Sequence, residues 1–277
     1  MSSLKKKNEE TFRKLIDNCN AGNEADLEHL LHMTCISFNG EDCFTGDFAG
    51  RLNKPFGSNS TNVVKIDMVL VDGDSSHLVA RLINRTTLLD SNTVFEYTEI
   101  VFAAFMNDSL FGWRSLRDED AILSREHSSI PTMLPPPDGA PSSSKMSVQE
   151  LKSFYQGYIK CINDKTMAQD FEQFCQPGVI HNDRNLSIAE YIPLISESQD
   201  AIDDLYFEID KLVANEETQQ IAARLEFTGI PIKEWGGAKP NGNEVKFHEH
   251  VIYQLVGGKI SRVSSVIELD AYRKQME

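Results

Sequence analysis

The sequence predicts an α+β protein of two tandem domains, each with N-terminal helices packed on a curved antiparallel sheet. Three observations carry this. The first is an internal repeat: residues 97–121 (YTEIVFAAFMNDSLFGWRSLRDEDA) align without a gap on residues 247–271, matching Glu99 with Glu249, Phe105 with Leu255, Ser115 with Ser265 and Asp120 with Asp270. Residues 78–82 (LVARL) likewise fall on 221–225 (IAARL), and 26–28 (DLE) on 170–172 (DFE), and a match that keeps its order over three separated segments marks a duplicated domain. The second observation is that, in each copy, apolar residues at helical spacing precede stretches with strand-like alternation. The third is the hairpin of the second copy, where Gly257-Gly258 supplies the positive φ angles of a tight turn and Val245, Phe247, Val251 and Tyr253 recur at period two.

In the first copy, Phe12, Leu15, Ile16 and Cys19 predict a helix after a charged, frayed N-terminus, and Leu27, Leu30 and Leu31 predict a second one beyond Gly22-Asn23. Residues 40–61 are rich in Gly, Ser and Asn and read as loop with at most a short helix. Strands are expected at 63–71, 77–87, 93–106 and 109–116, with Asp72-Gly73-Asp74 and Asn107-Asp108 as turn signals. A Pro triplet and a Ser triplet mark residues 127–147 as a linker between domains 1–126 and 148–277. In the second copy, Leu151, Phe154, Tyr155, Tyr158, Ile159 and Ile162 form an apolar helical stripe, and Phe171, Phe174 and Cys175 start the next helix. Ser187-Ile188-Ala189-Glu190 is a capping box that opens a third helix running through Leu194 and Ile195. Strands at 205–214, 218–229, 244–256 and 259–269 complete the copy.

The chain of 277 residues has room for two ordinary domains, and its formal charge of -15 is shared about equally between them. A surface so acidic repels phosphate backbones, which argues against nucleic acid as a partner. No apolar run has the length of a membrane span and the start lacks a signal-peptide pattern, so no membrane association and a cytoplasmic location are expected. The five cysteines are odd in number, show no C-x-x-C spacing and read as small buried hydrophobes.

The second copy, through CQPGVIHND, SIAEYIPLI, DDLYFEIDKLVA, IAARLEFTG, KPNGNEVKF and GGKISRVSSVIELD, resembles the SnoaL-like polyketide cyclases of the nuclear transport factor 2-like superfamily. The first copy resembles them more faintly. The resemblance implies cone-shaped domains with a deep pocket between helices and concave sheet, and cofactor-independent acid–base chemistry such as aldol cyclisation or isomerisation. It places a pocket residue at the end of the second helix, here His181, with Ser37 at that place in the first copy. On the third strand the polar pocket position is Glu249. The adjacent inward position, a His in the bacterial aldol cyclases, is Val251, and their catalytic Asp on the last strand is Ser265.

Glu249 is either a paired structural charge, with Arg224 as its partner, or a carboxyl whose pKa burial has raised for chemistry. Paired with His181, it would exchange protons with a hydrophobic, carbonyl-bearing small molecule in a cyclisation or isomerisation. Tyr158, Tyr191, Arg224, Val251 and Ser265 are the expected substrate-binding residues, joined by Trp235, which is either an aromatic lid or a prop under its loop. Arg224 itself, with Arg81 as its counterpart, reads first as an ion pair with Glu249 or Glu268. His248 and His250 share a strand face opposite Glu249, and no third ligand lies near, so no metal is expected. In the first copy, Trp113 stands where the second has Val263 and is expected to fill the pocket, leaving a degenerate structural partner that pairs with the second copy as a pseudo-dimer. The alternative to an enzyme is a non-catalytic ligand-binding or scaffold protein of the same superfamily.

Overall fold

The structure is a computed structural model that describes residues 3–32, 35–72, 76–125 and 145–277, and the chain separates into two compact units, residues 1–133 and 134–277. In the first unit α1 (Ser3–Ala21) and a short 3-10 turn (Glu24–Leu27) lead to β1 (Cys35–Phe38), β2 (Glu41–Phe44) and α2 (Thr45–Asn53). Four long strands follow, β3 (Ser60–Val71), β4 (His77–Leu88), β5 (Thr93–Met106) and β6 (Ser109–Arg117), and then α3 (Glu119–Ser124). The second unit repeats the order with α4 (Val148–Asn163), α5 (Met167–Phe174), β7 (Cys175–His181), β8 (Arg184–Ser187) and α6 (Ile188–Ala201). Its long strands are β9 (Ile202–Asn215), β10 (Gln220–Pro231), β11 (Val245–Val256) and β12 (Lys259–Ile267), closed by α7 (Leu269–Gln275).

The two sheets have the same topology, β2-β1-β6-β5-β4-β3 and β8-β7-β12-β11-β10-β9, with one parallel pairing in each, β1 on β6 and β7 on β12. The expected α+β arrangement is therefore present twice. Its hairpins are equivalent: Gly257 and Gly258 sit at φ 57° and 77°, and Asn107 and Asp108 take the same left-handed turn at 52° and 64°. Short Asn and Asp side chains tolerate that conformation, so two different dipeptides close one hairpin geometry. Each unit has its own core. In the second, Tyr155, Tyr158 and Phe171 from the helices meet Phe247, Val251 and Tyr253 from β11, all buried. In the first, Phe12, Phe48 and Trp113 are wholly buried.

Four local expectations are corrected. The second helix of the first copy is one 3-10 turn, because beyond it Leu31 bridges to Leu110 and His32 N–H bonds the Leu110 carbonyl, pulling the chain into the sheet. Residues 40–61 hold β2 as well as a nine-residue helix. Cys175 opens a strand instead of a helix, so His181 ends β7 and lies beyond any helix. The last strand stops at Ile267, and Leu269 begins α7. The Asp72-Gly73-Asp74 turn falls partly, and the linker 127–147 mostly, outside the described residues.

Candidate active site

The inner face of the second sheet is set by alternation. β11 sends Phe247, Glu249, Val251 and Tyr253 toward the helices, β10 contributes Leu225 opposite Glu249, and β12 contributes Ser265 opposite Val251 and Ile267 opposite Glu249. Lys246, His248 and His250 consequently face the other way, together with Arg224, which pairs with His250 across the ladder. Arg224 is thus not brought to Glu249. Its guanidinium bonds Asp210 at 2.8 Å and the His250 ring at 2.8 Å.

Among the described residues Glu249 has no cation paired with it. Its recorded partner is the Ser265 hydroxyl, and burial raises the carboxyl pKa from 4.5 to about 7 against the opposing pull of that hydrogen bond. The carboxylate's field is felt by Tyr155, Tyr191 and Tyr253, whose own pKa values burial already drives up. Tyr155 and Tyr253 lie tilted to one another at 5.2 Å between ring centroids, Tyr158 approaches Tyr253 edge-on at 5.7 Å, and the Tyr158 and Tyr191 hydroxyls are hydrogen-bonded at 3.0 Å. The Tyr155 hydroxyl is buried; the neighbouring Tyr253 hydroxyl pulls its raised pKa back down, and among the described residues it has no hydrogen bond of ordinary geometry.

His181 reaches this group through Tyr191, at 5.7 Å between rings, and makes no bond or ion pair with Glu249. Burial, reinforced by Arg184, lowers its pKa to about 4, which makes it a neutral imidazole near neutral pH. The expected Glu249–His181 pair is therefore replaced by Glu249 and Ser265 beside a cluster of tyrosines. Of the substrate-binding residues expected, Tyr158, Tyr191, Val251 and Ser265 come together on the inner side and Arg224 does not. Trp235 packs on Phe247 at 5.8 Å and edge-on to Tyr272 of α7 at 5.0 Å, with Arg273 donating to the Gly236 carbonyl at 2.6 Å. Gly236 lies so close to α7 that a Cβ there would stand 3.2 Å from Leu269.

Tyr253 is not among the expected site residues, and Tyr155 reads from the sequence first as a core residue of the helical stripe. Tyr253 shares the parity of Glu249 on β11, a signal present in the sequence, whereas the approach of Tyr155 to Tyr253 is visible only in three dimensions. The counterpart of His181 also shifts. β7 pairs His181 with Val263, and β1 pairs Phe38 with Trp113, so Phe38 and not Ser37 is equivalent to His181. The next residues confirm the register: Asn182 and Asn39, both at positive φ, accept the backbone N–H of Ser265 and Ser115 at 2.9 and 2.7 Å.

The outward histidines are engaged elsewhere, His248 with Glu268 at 2.8 Å and His250 with Arg224. Among the described residues no group of three or more His, Cys, Asp or Glu is arranged to hold a metal ion, and no helix is long and apolar enough to cross a membrane.

Helices laid in the concavity of a six-stranded sheet, with a carboxyl group on its inner face, define a nuclear transport factor 2-like domain, here present twice in tandem. The chain belongs, through its second unit, to the SnoaL-like polyketide cyclase family, whose model matches residues 152–276. It is 30% identical to a SnoaL-like polyketide cyclase from Agrobacterium tumefaciens, a match that spans 48% of this chain and 100% of that one with a TM-score of 0.44. AclR from Streptomyces galilaeus, provisionally described as a hydroxylase, matches at 23% identity over 47% and 97% of the two chains with a TM-score of 0.41. IdmH from Streptomyces antibioticus, provisionally described as a polyketide cyclase, matches at 12% identity over 46% and 97%, also at 0.41. No curated protein matches the chain.

Proposed function

We propose that the second unit is a cofactor-independent cyclase or isomerase acting on a hydrophobic, carbonyl-bearing intermediate of specialised metabolism. The observation that supports this most is the Glu249 carboxyl, set on an apolar, tyrosine-rich inner face with a hydroxyl and no cation for company. A structural carboxylate at that depth would have a charged partner, and the arginine in reach of its strand is turned to Asp210 instead. A pKa of about 7 suits a group that must take a proton and return it.

In this reading ionised Glu249 removes a proton from carbon next to the substrate carbonyl. The C–H electron pair becomes the enolate double bond, and the charge moves to the carbonyl oxygen, where the Tyr155 hydroxyl donates a hydrogen bond. Reprotonation by Glu249 at another carbon completes an isomerisation. Attack of the enolate on a second carbonyl, with the Glu249 proton delivered to the new alkoxide, completes a ring closure. Neutral His181 holds Tyr191 in place and does not transfer the proton.

The test is deuterium exchange at the α-carbon of an apolar β-keto ester in D2O, followed by NMR. Glu249→Gln is expected to slow exchange by roughly 100-fold or more and Tyr155→Phe by about 10-fold or more. Exchange unaltered in Glu249→Gln would remove the catalytic assignment. Val251 and Ser265, standing where aldol cyclases of the family have His and Asp, favour a second reading as a ligand carrier, which saturable binding of the ester without exchange would identify.

A further inference from the structure

The first unit carries a cavity of its own, about 610 Å³, between α2, the β1–β2 hairpin and the inner face of β4 to β6. Trp113 does not line it: the ring is wholly buried, stacked between Phe12 and Phe38 at 5.8 and 6.0 Å, and of these three only Phe38 reaches the cavity. The mouth stays open for a reason visible in the chain. Between β10 and β11 the second unit has a loop, 232–244, that carries Trp235, whereas between β4 and β5 the first has only residues 89–92. The lining also changes character: Asn84, Tyr97 and Arg117 stand at the positions that Phe227, Phe247 and Ile267 occupy in the second unit.

The floor of this cavity is built for hydrogen bonding. Asn62 donates to Asn84 at 2.8 Å, and Asn84 donates to Oε2 of Glu99 at 3.0 Å, all three residues buried. Oε1 of Glu99, a side chain in a residue only 4% exposed, receives no hydrogen bond among the described residues. Ser115, whose counterpart Ser265 bonds Glu249, makes no hydrogen bond through its hydroxyl among the described residues, and Asn84 bonds the carboxyl instead. The lining carries Glu41, Asp47 and Glu99 against Arg51, Lys54 and Arg117, with Arg117 also paired to Glu119 at 3.1 Å and Arg51 to Glu41 at 3.3 Å, so the acidic and basic side chains balance in number. The Arg117 pKa is raised, the Glu119 and Glu99 carboxylates outweighing the opposing effect of burial.

We propose that the first unit holds a second ligand site, and that it takes an uncharged, hydroxyl-rich small molecule such as a hexose or a sugar substituent. An acceptor oxygen of Glu99 and the hydroxyl of Ser115 can bind one ligand hydroxyl from both sides, the first accepting from it and the second donating to it. A carboxylate ligand would bring a further negative charge among Glu41, Asp47 and Glu99, and an apolar one would cover the Glu99 oxygen without giving it a hydrogen bond. The proposal rests on the first unit alone and stands or falls apart from the chemistry assigned to Glu249.

Saturation-transfer NMR on the full chain tests it, with D-glucose, D-galactose and L-rhamnose as probes against L-malate and cyclohexanol. At least one sugar is expected to show saturation transfer and the two controls none. Glu99→Gln should weaken sugar binding about tenfold, since an amide replaces the carboxyl group that accepts from the ligand hydroxyl. Gly50→Phe should abolish it: Gly50 lies on α2 facing the cavity with nothing within 4 Å of the position of a Cβ, and the change favours the helix. Glu249→Gln should leave it unaltered. Absence of transfer from every sugar, transfer that survives Gly50→Phe, or preferential binding of L-malate or cyclohexanol would overturn the proposal.

Discussion

At the scale of single residues, the carboxyl of Glu249 turns pH into a reporter of the site. Its pKa in the folded chain, about 7, lies above the ordinary 4.5, so the native state holds a proton that the unfolded chain releases. Its stabilising contribution is complete below pH 4.5 and is lost as pH rises through 7, a decline of roughly 3 kcal/mol. Glu249→Gln should remove that decline, so that urea unfolding at pH 8 finds the variant more stable than the parent and at pH 4.5 finds them close. His181 slopes the other way: its pKa of about 4, below the ordinary 6.5, gives stability that is lost as pH falls from 6.5 through 4. Ser265→Ala removes the hydrogen bond that holds the Glu249 pKa down, so the rise of proton exchange with pH should move to higher pH. An unmoved profile in that variant would show that another group sets the rate.

Among the secondary-structure elements, a shared irregularity explains the arginines that the sequence analysis paired with Glu249 or Glu268. In β3 the register slips between Ile66 and Met68, and in β9 a slip at the same place of the repeat leaves Asp210 as the extra residue; Asp67 and Asp210 then meet Arg81 and Arg224 at 2.7 and 2.8 Å. The signal was in the chain, an Asp fourteen residues before the Arg in both copies, but a bulge has no signature in alternation alone and reverses the parity beyond it. The same reasoning separates what was legible from what was not. Alternation and hairpin turns revealed the eight long strands and the face of Glu249, whereas the four short strands, each four to seven residues, are too brief to show a period. With no period to read in β7 and β1, the sequence sets His181 at the end of a helix and opposite Ser37, one residue from its counterpart Phe38. The Arg–Asp pairs also differ measurably. The side chains of Arg81 and Asp67 are 0% and 1% exposed, and Asp67→Ala should cost about 3–5 kcal/mol by leaving a buried charge behind. Asp210 is 41% exposed, and Asp210→Ala should cost no more than about 1 kcal/mol by the same chemical denaturation.

For the molecule as a whole, the duplicated framework and the divergent linings are separate properties. Bulge, Asn turn and hairpin occur in both units, while the pocket positions exchange Phe38 for His181, Asn84 for Phe227 and Arg117 for Ile267. Two inner faces of one architecture thus offer different solvents to whatever they enclose, one polar and one aromatic. The net charge of -15 acts on both. Repulsion between like charges opposes compactness and is screened by salt, so the melting temperature should rise as ionic strength goes from about 0.01 to 0.15 M, over which the screening length falls from about 30 to 8 Å. A melting temperature that falls over this range would mean that the surface ion pairs outweigh the repulsion.

The seat of Trp235 on α7 has a further consequence. That helix contributes no strand and no group to the chemistry assigned to Glu249, yet Tyr272 and Arg273 hold the loop over Phe247. A protease that clips the chain just after Glu268 would spare the sheet and the carboxyl while unfastening their cover. The damage would then appear in how long a guest stays, as faster escape, before it appeared in how quickly a bound guest reacts.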